Sequence, residues 1–179
     1  MFGFFKKKEV QVKVIDKIWL TERAKWQACL DLYRRNNATR FIAWFEESKN
    51  KLAAFFNSQG INDASLSLAG FQGNTTSGPL LFIEHHPLQE EEQQQFKDLG
   101  LNEVIVLSAL DESLFLLFGG AKIAALMQKM GLKEEESVEN NMISASIKNA
   151  QAKISKKAML IISARSQSDW LTHAGINNL

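Results

Sequence analysis

Three short stretches of this 179-residue chain hold side chains of the types that do chemistry. Glu84-His85-His86 offers a carboxylate and two imidazoles, groups that bind metals or move protons. Neighbouring side chains on an extended strand point to opposite faces, so the two histidines do not easily reach one ion. No Cys, Asp or His cluster nearby completes a four-ligand set, and no metal is expected. Gly119-Gly120-Ala121-Lys122-Ile123 has the glycines and lysine of a phosphate-binding loop, but not their spacing. Such a loop needs two glycines around four residues, then Lys and Ser or Thr, following a strand. The stretch reads as a turn between helices. Cys29, the single cysteine, reads as a buried small hydrophobe in a helix rather than a reactive thiol. One thiol forms no internal disulfide, which fits a reducing compartment. With no Gly-x-Ser-x-Gly elbow either, we assign no catalytic, cofactor-binding or metal residues and expect no cofactor.

The elements that would position these groups alternate. Short apolar runs over 40–45, 65–69, 80–84 and 104–107 predict strands, and their continuous apolar character predicts helices on both faces of the sheet. Between them, Thr21 is a credible N-cap for a helix whose Trp26, Cys29, Leu30 and Tyr33 recur at helix spacing. Further helices are predicted over 48–58 and 88–99, each followed by a glycine. This order predicts an α/β fold with a mostly parallel sheet of four to five strands. The acidic and amide run Gln89 to Gln95 reads as a solvated helix face.

After Leu110 the pattern is helical only. Two short helices, 111–118 and 121–130, precede a long one predicted from Glu134 to Ile161. Glutamates 134–136 suit its N-terminus, and Lys153, Lys156 and Lys157 its far end. Ile143, Ile147, Ala150, Ile154, Ala158 and Ile161 make one apolar stripe, which must find the domain's own sheet, a second copy or another protein. Three parts follow: a basic and aromatic tail at 1–9, an α/β domain at 10–133, and the long helix and tail at 134–179.

A net charge of +1 gives no global field toward nucleic acid, and no nucleic-acid partner is expected. No run approaches the ~18–20 apolar residues of a membrane span. Phe2, Phe4 and Phe5 stand before Lys6, Lys7 and Lys8, the reverse of a secretory signal. This cluster suits weak, reversible contact with a lipid surface.

Leu107-Ser108-Ala109-Leu110-Asp111-Glu112-Ser113-Leu114 runs on through Leu117-Phe118-Gly119, Lys122 to Met127 and Met130-Gly131-Leu132. It continues to Glu136-Ser137-Val138-Glu139 and Ile147 to Lys153. This stretch resembles the SecA preprotein translocase ATPase family, where its second nucleotide-binding fold feeds a long scaffold helix. Asp16 to Glu22 resembles the opening of that fold, 41–49 its first strand and helix, and Leu80 to His86 the strand before its last helicase motif. The resemblance implies a RecA-like, P-loop NTPase-like helicase C-terminal domain with an all-helical C-terminal extension, in a bacterial cytoplasmic protein. Its partners would be the translocation machinery or a second copy of the chain, with peripheral contact at the inner face of the membrane.

The departures from the family decide the expected function. Between Ile61 and Leu80 the family's Gly-Arg-Gly-Thr-Asp motif is missing, and no arginine occurs there. After His86, where the family carries arginines that reach the γ-phosphate, this chain reads Pro87 to Gln95 with Glu90, Glu91 and Glu92. An arginine finger is worth ~10³–10⁵ in rate, and glutamates would repel the same phosphoryl charge. The chain has no phosphate loop. It is expected to be a degenerate, non-hydrolysing motor domain that binds protein. The alternatives are a nucleotide-sensing domain with weak ATP or ADP binding at the carboxyl ends of the strands, and a small enzyme using Glu84, His85 or His86.

Overall fold

In a computed structural model, the structure describes residues 10–70, 78–158 and 163–176. Five strands, β1 (Lys13–Trp19), β2 (Arg40–Ala43), β3 (Ser65–Leu68), β4 (Leu80–Phe82) and β5 (Glu103–Ala109), form one all-parallel sheet. Their order is β1-β5-β4-β2-β3. Helices α1 (Glu22–Arg35), α2 (Glu46–Ser58) and α3 (Gln89–Asp98) each follow a strand. The α/β expectation holds, with β1 added to the four strands read from the sequence. Val10, Val12 and Val14 alternate with Gln11 and Lys13 ahead of Ile15, the period-two signature of a strand.

Each helix is placed by its apolar stripe. Trp26, Cys29, Leu30 and Tyr33 of α1 pack with Leu52 and Phe56 of α2 on Trp19, Phe41, Leu81 and Leu107 of the sheet. Phe96 and Leu99 cover the opposite face over Ile42, Phe82, Val104 and Val106. Thr21 caps α1 as its sequence suggests, its Oγ1 accepting from the Ala24 amide at 3.2 Å.

The C-terminal half departs from the expected single long helix. Helix α4 (Ser113–Leu117) and helix α5 (Gly120–Lys129) are followed by α6, which covers only Asn141–Lys157, and then by α7 (Gln167–His173). Glu134 and Glu135, expected to open the long helix, lie in a turn instead, and the chain beyond them reaches the sheet. Val138 exchanges two backbone hydrogen bonds with Ile18, of 2.8 and 3.1 Å, making an antiparallel bridge on the edge strand β1. Asn140 then caps α6, its side chain accepting from the Met142 amide at 2.8 Å. A strand bridge and a competent N-cap together outweigh the helical preference of Glu134 to Glu136.

The apolar stripe is consumed inside the chain. Ile143 and Ile147 join Ile18, Leu20, Leu110 and Phe115 in one cluster, and Ile154 joins Phe45, Leu114, Trp170 and Leu171 in another. Of the three partners open to it, the stripe takes the chain's own body. Ile161 lies outside the described residues. Ile147→Ala is expected to lower stability in chemical denaturation by about 2–5 kcal/mol, and exposed Met142→Ala by no more than about 0.5 kcal/mol. Ile154→Asp should not fold. A folded Ile154→Asp chain of altered size would instead place the stripe in a contact between copies.

Candidate functional site

Because all strands run one way, every helix that directly follows a strand begins at the same edge of the sheet, beyond the strands' carboxyl ends. A helix N-terminus presents unpaired amides and positive potential, and is by default an anion site. This edge is where an open α/β sheet takes its ligand. Here the chain's own side chains fill it.

Helix α2 has Phe45 at its N-cap, which offers no side-chain acceptor. Glu84, arriving from the end of β4, supplies one. Its Oε1 accepts from the Trp44 and Phe45 amides at 3.0 Å each, and its Oε2 from Ser48 Oγ at 2.6 Å. Asp111 accepts from the Glu22 amide of α1 at 2.8 Å. Gln167 Oε1 accepts from the Leu114 amide of α4 at 2.6 Å, while its Nε2 donates to the His85 carbonyl at 3.0 Å. Ser166 caps α7 through the Asp169 amide at 3.0 Å. The tail is therefore stitched across the edge, and the Glu47 amide adds a 3.0 Å bond to the Arg165 carbonyl.

Two buried cations balance the gathered carboxylates. Lys25, 0% exposed, donates to the Ile83 carbonyl at 2.7 Å and to Glu112 Oε1, and stands 4.1 Å from the Trp26 ring centre. Burial opposes its charge, but Glu112 and, more weakly, Glu22 and Glu84 hold its pKa above the ordinary lysine value. The pair is ionised at neutral pH on the lysine side; burial pushes the Glu112 carboxyl up to about 7. His85 is the second cation. Its Nδ1 lies 2.8 Å from Glu92 and its Nε2 3.0 Å from Asp16. Burial would favour the neutral ring, yet Glu92 and Asp16 raise its pKa to about 10. Glu92 is further held by the His86 amide at 2.8 Å and by Gln151 Nε2 of α6 at 2.9 Å.

These contacts set what the residues singled out from the sequence can do. His85 and His86 do part company. The imidazolium of His85 has both nitrogens committed to carboxylates, so it has no lone pair for a proton or a metal. His86 is neutral, burial lowering its pKa, and packs against Trp44, Phe45 and Trp170 at centroid distances of 5.0, 5.9 and 5.4 Å. No group of three metal-binding side chains converges among the described residues. Ser108 Oγ, buried on β5, has no hydrogen-bond partner, so no base activates it. Burial pushes the Cys29 thiol up to about 12, far from a reactive thiolate. The Gly119-Gly120 pair is structural: it joins α4 to α5, Gly119 has φ +96°, and a Cβ on Gly120 would sit 2.2 Å from the Leu110 carbonyl oxygen.

The run Gln89 to Gln95 is not simply a solvated face. Glu92 and Gln93 are 2% and 8% exposed, and Gln93 brackets the Val12 backbone, accepting at 2.7 Å and donating at 3.1 Å. Lys25 and Gln151 were also legible only by position, each standing four residues from a buried stripe member, Cys29 and Ile147 respectively. A cleft of about 710 Å³ lies between α1 and residues 134–137. It mixes Arg23, Asp31, Arg35 and Glu134 without a chemical cluster.

Forty-six residues of the chain, 26% of it, are 46% identical to the protein translocase subunit SecA 1 of Alkaliphilus metalliredigens, over 5% of that relative's length. SecA of Acinetobacter baumannii matches at the same identity, length and share. SecA of Maridesulfovibrio salexigens does so over 6% of its own length. The chain carries a SecA-like segment. It spans about a twentieth of the curated relatives it matches, and no family model matches it. A match of 46 residues is shorter than the stretch from Asp16 to Lys153 over which the residue pattern was compared with SecA.

The clamp on His85 has a direct pH consequence. Its folded pKa of about 10 lies above its ordinary value of 6.5. The stability it contributes is full below pH 6.5 and is lost as pH rises through 10. Denaturation midpoints of the intact chain are expected to fall across that window more steeply than those of His85→Gln. Parallel pH profiles would show that the ring is not a buried cation.

Proposed function

We propose that this chain is a non-hydrolysing, SecA-like module that acts by binding protein, in connection with preprotein translocation at the cytoplasmic face of the membrane. The observation that carries the reading is the filled carboxyl edge. Glu84, Asp111 and Gln167 take the backbone amides that a nucleotide's phosphates would need, and α7 is stitched over them. The cleft left there measures about 100 Å³, against the ~300–1,000 Å³ of ordinary small-molecule sites. A polyphosphate would also meet Glu22, Glu47, Glu84, Asp111 and Glu112. The same observations weigh against the nucleotide-sensing alternative. Both histidines are used in packing or ion pairing, which leaves the small-enzyme reading without a free base.

The link to translocation rests on the SecA-like segment, whose relatives are named protein translocase subunits. The relatives' activity belongs to chains far longer than this one, so a stand-alone motor cycle is no part of the proposal. Among the described residues no helix is long and apolar enough to cross a membrane. Phe2, Phe4, Phe5, Lys6, Lys7 and Lys8, which would supply any lipid contact, lie outside the described residues.

Two measurements test the reading. Calorimetric titration of the purified chain with Mg-ATP and Mg-ADP is expected to give no saturable heat, and phosphate release to match a heat-killed control. Cross-linking in cells is expected to recover components of the translocation machinery. Turnover above the control, or saturable nucleotide binding, contradicts the proposal.

A further inference from the structure

Helices α5 and α6 differ in charge from the rest of the chain. They carry Lys122, Lys129, Lys148, Lys153, Lys156 and Lys157 and no carboxylate, although the whole chain has a net charge of only +1. The acidic residues between them in sequence are turned toward β1 and α1 or held locally. Glu134 accepts from Thr21 Oγ1 at 3.1 Å, Glu139 pairs with Lys17 at 3.2 Å, and Glu136 accepts from the Lys133 amide at 3.1 Å. Lys122 and Lys153 make no ion pair among the described residues. The same helices and the adjoining α4 hold Leu116, Leu126, Met130 and Met142, exposed by 53%, 58%, 76% and 79%. Elsewhere among the described residues only Val10 and Leu68 are large apolar side chains left open. Scattered exposed apolar residues need no explanation, but a concentration of them rimmed by charge of one sign marks an interaction surface. A groove of about 450 Å³ lies there, between α6 and the turn joining α4 to α5. Leu117 and Phe118 line it with Lys122, Ser146, Asn149 and Lys153, and its size is within the ~300–1,000 Å³ of ligand sites. Spacings of three and four extend each wall: Lys122, Leu126 and Lys129 share one face of α5, and Met142, Ser146, Asn149 and Lys153 one face of α6.

We propose that this groove binds an acidic, amphipathic segment of a partner protein, its apolar side chains against Phe118, Leu126 and Met142 and its carboxylates on Lys122 and Lys153. The inference rests on the protein-binding reading above and gives the partner a chemistry. Walls of one sign select a partner of the other and repel basic ones. Methionines at the open end suit partners of varied shape, since their unbranched side chains adapt to what they meet. The polar lining fits a peptide better than a lipid chain. Ser146 Oγ donates to the Met142 carbonyl at 2.9 Å and keeps its lone pairs for an N–H, and Asn149 offers both a donor and an acceptor.

The test titrates the full chain into two fluorescein-labelled amphipathic peptides, one of glutamate and leucine and one of lysine and leucine, and follows anisotropy at neutral pH. The glutamate peptide is expected to bind saturably and the lysine peptide not to bind. Lys153→Glu should weaken binding about tenfold, through one lost exposed pair and the repulsion that replaces it. Leu126→Gln should weaken it several-fold through lost apolar contact. Arg34→Glu, an equal change of net charge on the exposed side of α1, should bind as the intact chain does. All three side chains are exposed, so the variants are expected to fold. Equal binding of both peptides, no binding, or unchanged binding by either Lys153→Glu or Leu126→Gln would overturn the proposal. Binding to phosphatidylglycerol vesicles in place of the peptide would overturn it in favour of a membrane, and a dimer dissociated by Lys153→Glu in favour of a second copy. Peptide binding with no translocation component cross-linked in cells supports the groove and removes the link to translocation. Equal cross-linking of a component by the intact and Lys153→Glu chains keeps that link and overturns the groove as its contact.

Discussion

Parallel strands bring the N-termini of the helices that follow them to one edge of the sheet, and the positive potential collected there has to be answered by something. In a nucleotide-binding fold the answer comes from outside, as phosphate. In this chain it comes from inside: Glu84 on α2, Asp111 on α1, and the amide oxygen of Gln167 on α4. The internal answer fixes much else. Glu84 is buried because its donors are backbone amides that cannot move away. Gln167 reaches Leu114 only if α7 crosses the edge, so the tail's position follows from the same electrostatics.

Gathering carboxylates in a dry setting creates a second requirement, for buried cations, and two side chains meet it. Lys25 serves the Glu112 side, and His85 serves the Asp16 and Glu92 side. Through Glu92 and Gln151 the His85 cluster also holds α6. Strand β1, the loop after β4, and helices α3 and α6 are thereby joined by one polar network. Breaking one partner of such a network leaves an unpaired buried charge, which is costly even where the intact pair contributes little. Residues that look catalytic in the sequence are in this structure the fasteners of a fold. His85 has lost its free nitrogen to that task, and His86 fills an aromatic pocket.

The sheet was legible because period and glycine punctuation are local signals. The strands at 40–45, 65–69, 80–84 and 104–107 were placed to within a few residues, and Thr21 was identified as a cap. Strand β1 escaped although valines alternate over 10–14 at and before its start, because Asp16 and Lys17 interrupt the apolar pattern; the buried Asp16 is paired with His85, 69 residues away. The long helix was overextended for the same kind of reason. Glutamates 134–136 suit a helix start, and the partnership of Val138 with Ile18, 120 positions upstream, together with the Asn140 cap, overrides them. The site was the least legible part. Glu84 was noticed, but its pairing with the α2 amides depends on a strand order that no local pattern encodes. Gln167 and Gln151 gave no signal beyond standing near apolar neighbours.

The central claim is that the carboxyl edge is closed by the chain's own side chains and tail. Native-state hydrogen exchange on the intact protein reads this directly at the amides of Trp44, Phe45 and Leu114, which are bonded to Glu84 and Gln167 rather than to a neighbouring strand. If the edge is closed, these amides exchange as slowly as those of Val106 and Leu107 in the centre of β5. Rapid exchange at the three, with β5 still protected, would show an open edge and contradict the account.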